Sequence, residues 1–435
     1  MSSKTEDKIR EEASVLGKTM NLSLYDEIIV YGRGSKIYNL KGQEFIDLLS
    51  GASVSVLGYG NKILASTYYE SCMKVHHVCV PYNLNPEAVL LAKKLCQITP
   101  GAFEKSIIFG LSGSDAIDGA IKAAQKYTKK RGVISFKNSY HGATGIAFQA
   151  THWGKVKKGL QTDMEFYFVE FPEKTKNPQK IEQIKKEIEE IIKTSDIAAI
   201  LIEPIQGDSG INVADQSAVA FIRKVCDDNN IIMICDEIQS GMGRTGKWWS
   251  IDHYNVVPDM IVVGKGLAAG YAPISAIIGK KDVIDSLEKA QHVFTFSGHP
   301  PSCAVARKTI EIIEKEEYMK NNLIKGEYFI DELKKIDSAI IKDIRGKGLM
   351  IGIETEYNNK PVASLIGFKC KEKGIYIGYF GKSNECLRIE PPFNITKYEI
   401  DTAVDVIRQC IKDVEQGQIS VEEMDLTRAC KGIGE

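Results

Sequence analysis

Polar residues that can act on a substrate stand directly after four apolar segments that read as β-strands. The small residues 112–114, the acids Glu203 and Asp236, and the amine of Lys265 each follow one such segment. Because the carboxyl ends of parallel strands meet at one edge of a sheet, ligands of open α/β sheets bind at that edge. The pattern therefore predicts one active site that combines an anion-binding turn, two carboxylates and a primary amine.

Ser112, Gly113 and Ser114 follow the first of these strands and precede a predicted helix. Small side chains, hydroxyl groups and free backbone amides at a helix N-terminus suit a phosphate group. Ordinary capping of the helix by Ser114 or Asp115 explains the same residues without any ligand. The segment alone does not separate the two interpretations.

Lys265 lies between Gly264 and Gly266, and Asp236 ends an apolar strand. Glycines on both sides leave room for a bulky group attached to the lysine amine, although a surface turn would show the same pattern. Asp236 is equally compatible with a capping or ion-pair role. Neither residue alone indicates catalysis. Their predicted positions at the same edge of the sheet do.

Tyr140 and His141 follow another predicted strand, over residues 133–136. An aromatic ring at this place could stack on a flat ligand or belong to the core. We interpret His141 as a structural histidine.

Residues 241–246, Gly-Met-Gly-Arg-Thr-Gly, match the glycine pattern of a dinucleotide-binding loop. Such a loop follows a strand at once and opens a helix. Here residues 236–240 intervene and no clear helix follows, so we do not predict a nucleotide site.

The composition limits the classes of function. The 435 residues carry 56 Lys plus Arg and 57 Asp plus Glu, which gives no strong attraction to nucleic acid or to acidic membranes. No apolar run approaches the ~20 residues of a membrane span, and the N-terminus lacks the apolar core of a signal peptide. The ten cysteines show no C-x-x-C spacing, which fits free thiols in a reducing compartment better than disulfides or zinc. We expect a cytoplasmic protein without a metal site.

The elements that position these residues alternate between strand and helix. Apolar strands are predicted at 106–109, 133–136, 197–202, 231–235 and 260–263, with a helix over 115–131 that Gly132 ends. Isoleucines at helical spacing in the charge-rich stretch 173–193 predict a solvated amphipathic helix. Continuous apolar strands alternating with helices indicate a parallel sheet covered on both faces.

Both chain ends differ from this middle part. Residues 36–48 predict a hairpin that turns near 41–42, and 348–354 and 385–389 predict short strands among helices. We expect a large α/β domain with a mostly parallel sheet at 59–304 and a smaller α+β domain built from 1–58 and 305–435.

Together, these segments resemble the class III aminotransferases, a family of pyridoxal-phosphate enzymes of fold type I. The resemblance extends from about residue 34 to about residue 396, and the 29 residues between Asp236 and Lys265 fit the family. It is carried by the segments FIDLLSGASVSVLGYGN, SGSDAIDGAIKAA, SYHGATG, LIEPIQGDSG, CDEIQSGMGRTG, PDMIVVGKGLAAGYAPISAIIG, FTFSGHP and LRIEPPF.

The resemblance implies roles for residues around the cofactor, pyridoxal 5'-phosphate. Lys265 would hold it as a Schiff base and then move protons at the substrate α-carbon, because a neutral amine is nucleophilic. Asp236 would keep the pyridinium nitrogen protonated, so that the ring accepts electrons. Tyr140 would stack on the ring, and Gln239 would reach its phenolic oxygen.

The resemblance also implies which residues bind the phosphate and the substrate. The turn formed by Ser112, Gly113 and Ser114 would bind the phosphate, and Thr295 of a second subunit would add a contact, which implies a homodimer. Arg388 matches an arginine that binds a substrate carboxylate through a bidentate fork. We place Glu203 beside it as a second substrate-binding residue.

Two activities remain open on this scaffold. One is transfer of an amino group between an amino acid and a keto acid, which we rank first because it is the commoner chemistry on this scaffold. The other is racemisation or 2-epimerisation of an amino acid, since GASVSVLGYGN and FGLSGSDA look especially like that subgroup.

Inversion requires an acid-base group on each face of the α-carbon, and Asp208 is the candidate opposite Lys265. Asp208 could instead neutralise Arg388 or set a turn. A non-enzymatic scaffold is disfavoured because Lys265, Asp236 and Arg388 are all present.

Overall fold

The computed structural model describes residues 3–20, 24–153, 157, 160, 164–175 and 177–417. Its strands are β1 Ile29–Arg33, β2 Lys36–Asn39, β3 Glu44–Asp47, β4 Lys105–Gly110, β5 Gly132–Phe136, β6 Phe166–Val169, β7 Ile197–Ile202, β8 Ile205–Gln206, β9 Asn212–Val213, β10 Ile232–Asp236, β11 Met260–Val263, β12 Ser275–Lys280, β13 Ile341–Lys347, β14 Met350–Tyr357, β15 Lys360–Pro361, β16 Ile375–Tyr376, β17 Gly378–Phe380 and β18 Cys386–Ile389. Its helices are α1 Ser3–Glu12, α2 Ser50–Ser53, α3 Lys62–Val75, α4 Pro86–Ile98, α5 Gly113–Thr128, α6 Gly145–Ala150, α7 Pro178–Thr194, α8 Gln216–Asn229, α9 Lys281–Ile284, α10 Pro300–Lys315, α11 Tyr318–Lys334, α12 Ala363–Glu372 and α13 Lys397–Glu415.

A seven-stranded sheet forms the centre of the molecule, in the order β4-β12-β11-β10-β7-β5-β6. The five predicted central strands are all present in it. β6 and β12 are the two strands of this sheet that the sequence analysis did not predict. β6 runs parallel to β5, and β12 runs antiparallel to both β4 and β11. The sheet is therefore mostly parallel, as the sequence analysis predicts, and consistent with a fold of type I.

Both faces of this sheet are covered, as the continuous apolar strands predict. Within β7, Leu201 packs in one apolar cluster with Ile117 of α5. Its neighbours Ile200 and Ile202 pack in a second cluster with Ile222 of α8. The alternation arises because successive side chains of a strand point to opposite faces.

Two predicted helices differ slightly from their observed bounds. The helix expected at 115–131 ends at Thr128, because Lys129 adopts a left-handed conformation as its C-cap and Gly132 already belongs to β5. The charge-rich stretch forms α7, which buries Ile181, Ile184 and Ile188 as its spacing predicts.

The two chain ends meet in smaller sheets. The hairpin of β2 and β3 is present, and β16 pairs in parallel with β3. A second sheet has the order β13-β14-β18-β17, with β15 beside β14. This pairing supports a smaller α+β unit built from both ends, and its boundaries at 58 and 304 remain a prediction.

Membrane-spanning helices, disulfides and metal sites can be compared with expectation only for the described part of the chain. None of its helices is long and apolar enough to cross a membrane. Its nine cysteines are free thiols, while Cys430 lies outside the described residues. No group of three or more metal-ligating side chains occurs in it.

Candidate active site

The polar residues that were predicted to follow four strands lie together at the carboxyl edge of the central sheet. Asp236 is the last residue of β10, Glu203 follows β7, Lys265 follows β11, and Gly113 opens α5 after β4. All four line one cavity of about 140 Å³. The chain topology thus brings together residues that are far apart in sequence.

Lys265 belongs to this cavity and not to a surface turn. Its Nζ contacts Oε1 of Gln239, and it also lines a second, larger pocket. Gln239 donates through Nε2 to both carboxylate oxygens of Glu390, at 3.0 and 3.1 Å. This chain of contacts fixes the lysine amine relative to β18, which Glu390 follows.

Gly266 allows the backbone around the lysine to pack closely. A Cβ atom at this position would lie 2.9 Å from Cγ1 of Val56. The glycine is therefore needed for packing against the N-terminal part of the chain, whatever is attached to the amine.

Asp236 is a buried carboxylate, 5% exposed. Its Oδ2 lies 2.8 Å from Nδ1 of His141, and its Oδ1 accepts from the backbone amide of Ile238 at 3.0 Å. No lysine or arginine in the described chain forms an ion pair with it. A buried carboxylate at a cavity wall without such a partner can receive a cationic group from a ligand.

His141, which the sequence analysis interprets as structural, contacts the carboxylate of Asp236. It is buried, and Thr151 Oγ1 accepts from its backbone amide at 2.9 Å. Its second ring nitrogen, Nε2, is buried and has no hydrogen-bond partner among the described residues. The only sequence signal for this role was its place beside Tyr140 in a loop that follows a strand.

The start of α5 is capped by Ser112, not by Ser114 or Asp115 as the alternative interpretation supposed. Ser112 Oγ accepts from the amide of Asp115 at 3.2 Å, and the Asp115 carboxylate accepts from the amide of Ser112 at 3.0 Å. The first turn of a helix offers further amides without intrahelical partners. A Cβ atom at Gly113 would lie 2.6 Å from Cδ1 of Ile238, so this turn requires glycine.

Tyr140 and Glu203 both line the smaller cavity. The Tyr140 ring lies 5.2 Å from the ring of Trp153. Glu203 accepts weakly from the amides of Tyr140 and Gly207, each at 3.4 Å, and so bridges two loops.

The carboxyl group of Glu203 is 8% exposed. Burial first, and then the neighbouring carboxylates of Asp236 and Asp208, raise its pKa well above the ordinary value of 4.5. Burial and the charges of Asp236 and Asp208 therefore favour the neutral form of Glu203.

Arg388 is buried in β18 and makes internal ion pairs. It contacts Asp208, and its Nε lies 3.1 Å from Oε2 of Glu390. The ring of Phe380 covers the guanidinium at 3.4 Å from its centroid. The side chain of Asp208 is 16% exposed against 1% for that of Arg388. Asp208 is thus the member of this pair that faces accessible space.

The larger pocket has a volume of about 810 Å³ and adjoins the smaller cavity through Tyr140 and Lys265, which line both. Asp208 lines the larger pocket, whereas Glu203 lines only the smaller one. Of the two predicted substrate-binding residues, neither Arg388 nor Glu203 lines the larger pocket directly.

Within a single chain, Thr295 lies outside the site. It is exposed and lines neither cavity. Its predicted role toward a second subunit therefore stays a prediction.

The glycine-rich segment 241–246 has a structural role. Arg244 is 1% exposed, donates to the carbonyl oxygens of Leu349 at 3.1 Å and Pro391 at 2.5 Å, and lies over the ring of Phe393. The segment joins the central sheet to the C-terminal part of the chain, and a short 3-10 helix at Ser250–Tyr254 follows it. It lacks the strand-loop-helix context of a dinucleotide site.

Comparison with known proteins is consistent with this geometry. The family model "Aminotransferase class-III" matches residues 22–411. The chain is 34% identical over 438 residues to a leucine/methionine racemase of Thermococcus litoralis, covering 96% of this chain and 98% of the relative. It is 33% identical over 415 residues to an acetylornithine aminotransferase of Methanocaldococcus jannaschii, covering 92% and 98%.

A solved aminotransferase of Bacillus anthracis has a similar structure, with a TM-score of 0.87 and 27% identity over 95% of this chain and 99% of that one. The predicted fold is thereby confirmed. The chain belongs to the class III aminotransferases, a pyridoxal-phosphate-dependent family whose members similar to this chain include both aminotransferases and racemases.

Proposed function

We propose that this protein binds pyridoxal 5'-phosphate and racemises or 2-epimerises an amino acid. The observation that carries the proposal is the placement of two acid-base groups, Lys265 and Asp208, on one pocket. Sequence analysis ranked amino-group transfer first because it is commoner on this scaffold. We now rank racemisation first, because Asp208 lines the same pocket as Lys265 and a racemase is among the relatives.

The residues of the smaller cavity fit this cofactor. Lys265 offers the amine to which it would be attached, and Asp236, which lacks a lysine or arginine partner in the described chain, suits a protonated ring nitrogen. The first turn of α5 with Gly113 and Ser114 suits the phosphate. Tyr140 supplies a ring surface, and Gln239 supplies an amide close to the lysine.

When bound, the cofactor withdraws electrons from the α-carbon of an attached amino acid and makes its hydrogen acidic. In one direction the Asp208 carboxylate would take this proton, and the Lys265 ammonium would return one to the opposite face of the α-carbon. In the reverse direction the two residues exchange roles. Arg388 holds Asp208 in place and balances its charge.

Amino-group transfer is the second candidate, favoured by the aminotransferases among the relatives. It requires Lys265 alone as the proton carrier. Asp208 would then only cover Arg388 until a substrate carboxylate replaces it. The ion pair between the two residues is compatible with this arrangement.

A homodimer is part of the proposal. Large apolar side chains are exposed on and after α3 and near Thr295, among them Tyr69 at 65%, Tyr82 at 86%, Leu84 at 88% and Phe296 at 50%. An apolar surface of this kind is typical of a protein interface. A second copy of the chain would cover it and place Thr295 near the partner's phosphate site; light scattering should give twice the mass of one chain.

The test of the activity uses the enzyme loaded with cofactor in heavy water, with single L-amino acids and no keto acid. Racemisation predicts exchange of the α-hydrogen together with loss of enantiopurity. Asp208→Asn should then reduce inversion about 100-fold or more, but slow half-transamination much less. The matched control is Asp215→Asn, since Asp215 caps α8 and asparagine caps a helix equally well.

Two results would leave only the transferase. One is the absence of inversion by the wild type with every amino acid of a broad panel. The other is equal loss of inversion and of half-transamination in Asp208→Asn.

A further inference from the structure

The walls of the larger pocket carry almost no charge that is free to bind a substrate. Among the described residues that line it, the charged ones are Asp47, Asp208 and Lys265. Six of the others are aromatic: Tyr31, Tyr59, Tyr140, Trp153, Tyr376 and Phe380. Such a wall selects ligands by shape and apolar contact more than by charge.

The carboxylate of Asp47 is already satisfied within the protein. It accepts from the amides of Leu49 at 2.8 Å and Ser50 at 3.0 Å and from the hydroxyl of Tyr59 at 2.7 Å. It is 1% exposed. A cationic side chain of a substrate could not reach it without breaking these bonds.

The other two charged groups are also engaged. Asp208 is paired with Arg388, and Lys265 is in contact with Gln239 and is the proposed attachment point of the cofactor. An acidic substrate side chain would find no further lysine, arginine or histidine among the described lining residues. Burying a charge without a partner is costly, so both kinds of charged side chain are disfavoured.

Apolar contact is available along the same pocket. Leu24, Ile37 and Leu49 form its inner wall, and Ile29, Val30 and Tyr31 of the edge strand β1 form its outer wall. These three outer residues are 39%, 56% and 58% exposed, which is high for large apolar side chains. An apolar substrate would remove part of this surface from water.

We propose that the pocket beside Lys265 takes amino acids with uncharged, apolar side chains, aliphatic, thioether or aromatic, and rejects amino acids with a second charge. This inference rests on the proposed function, because it assumes that an amino acid reacts at Lys265. It holds for racemisation and for amino-group transfer alike, since both begin by loosening the α-hydrogen.

The first experiment measures α-hydrogen exchange in heavy water by the cofactor-loaded enzyme. We expect kcat/KM for L-leucine, L-methionine and L-phenylalanine to exceed that for L-glutamate and L-ornithine by about 100-fold or more. Faster exchange with glutamate or ornithine would overturn the inference and leave the proposed function intact. Absence of exchange with every amino acid would refute both.

A pair of matched variants tests the outer wall. Val30→Lys adds a cation at an exposed position of the pocket, and we expect it to lower the preference for leucine over glutamate about tenfold. Val257→Lys makes the same change at a 40% exposed valine that precedes β11, at the opposite edge of the sheet from Lys265. It should leave the preference unchanged. Equal effects of the two variants would refute the assignment of this wall.

Binding without turnover provides an independent measurement. Trp153 lines the pocket, so tryptophan fluorescence should report binding of the leucine analogue 4-methylpentanoate and of the glutamate analogue glutarate. We expect the first to bind at least about tenfold more tightly to the loaded enzyme. Tighter binding of glutarate would contradict an apolar pocket.

Discussion

Replacing Asp236 by asparagine tests the electronic role that the structure suggests for this carboxylate. Asparagine keeps an oxygen that can accept from the amide of Ile238, so the local fold should persist. It loses the negative charge, and its amide group would face Nδ1 of His141, now at 2.8 Å from Oδ2. His141 would have to move its proton to Nε2, which is buried without a partner among the described residues.

The expected magnitude follows from these contacts. An ionic hydrogen bond in an ordinary setting is worth ~1.5–3 kcal/mol. Loss of an electrostatic group aimed at charge that develops in the transition state costs ~2.7–4 kcal/mol. At ~1.4 kcal/mol for each factor of ten, we expect kcat to fall by about 100-fold to 1,000-fold. KM should change little, because Asp236 lines the smaller cavity and not the larger pocket.

The assay is α-hydrogen exchange under single-turnover and steady-state conditions, with Asp215→Asn as the control for the same chemical change. Circular dichroism should show an unchanged fold, and the melting temperature should fall by only a few degrees. A higher KM with unchanged kcat would mean that Asp236 binds substrate, and the electronic reasoning would be wrong.

Three further predictions concern other residues. Lys265→Ala should abolish the absorbance of the attached cofactor at about 420 nm and all turnover. Light scattering should still find a folded dimer. Wild-type activity of this variant would contradict the assignment of Lys265. Because burial and neighbouring carboxylates raise the pKa of Glu203, its contribution to stability is fully present below the ordinary value of 4.5 and is lost as pH rises through the raised value. The unfolding free energy of wild type relative to Glu203→Gln should therefore fall as pH rises above the ordinary value of 4.5, and a flat difference would contradict a raised pKa of Glu203. Arg244→Ala should cost about 3 kcal/mol in urea unfolding, because two buried carbonyl oxygens lose their donor; a loss under about 1 kcal/mol would refute its role in joining the two parts of the chain.

The sequence by itself determined five of the seven central strands, the amphipathic helix α7 and the edge of the sheet at which Asp236 and Lys265 meet. These features are local: apolar runs of strand length, isoleucines at helical spacing and polar residues directly after strands. The resemblance to the class III family added the cofactor and the roles of its neighbours. β6 and β12 were not predicted, and the antiparallel direction of β12 could not be, because an apolar run does not reveal the direction in which it will pair.

Only the tertiary structure decided which residues share a contact across long separations in the chain. It paired Arg388 with Asp208, placed His141 on Asp236, and connected Gln239 with Glu390. It also gave the larger pocket its apolar walls, which come from segments near both chain ends. The physical reason is that charge pairing and burial depend on distances set by the packed sheets and loops, and no spacing along the sequence encodes those distances.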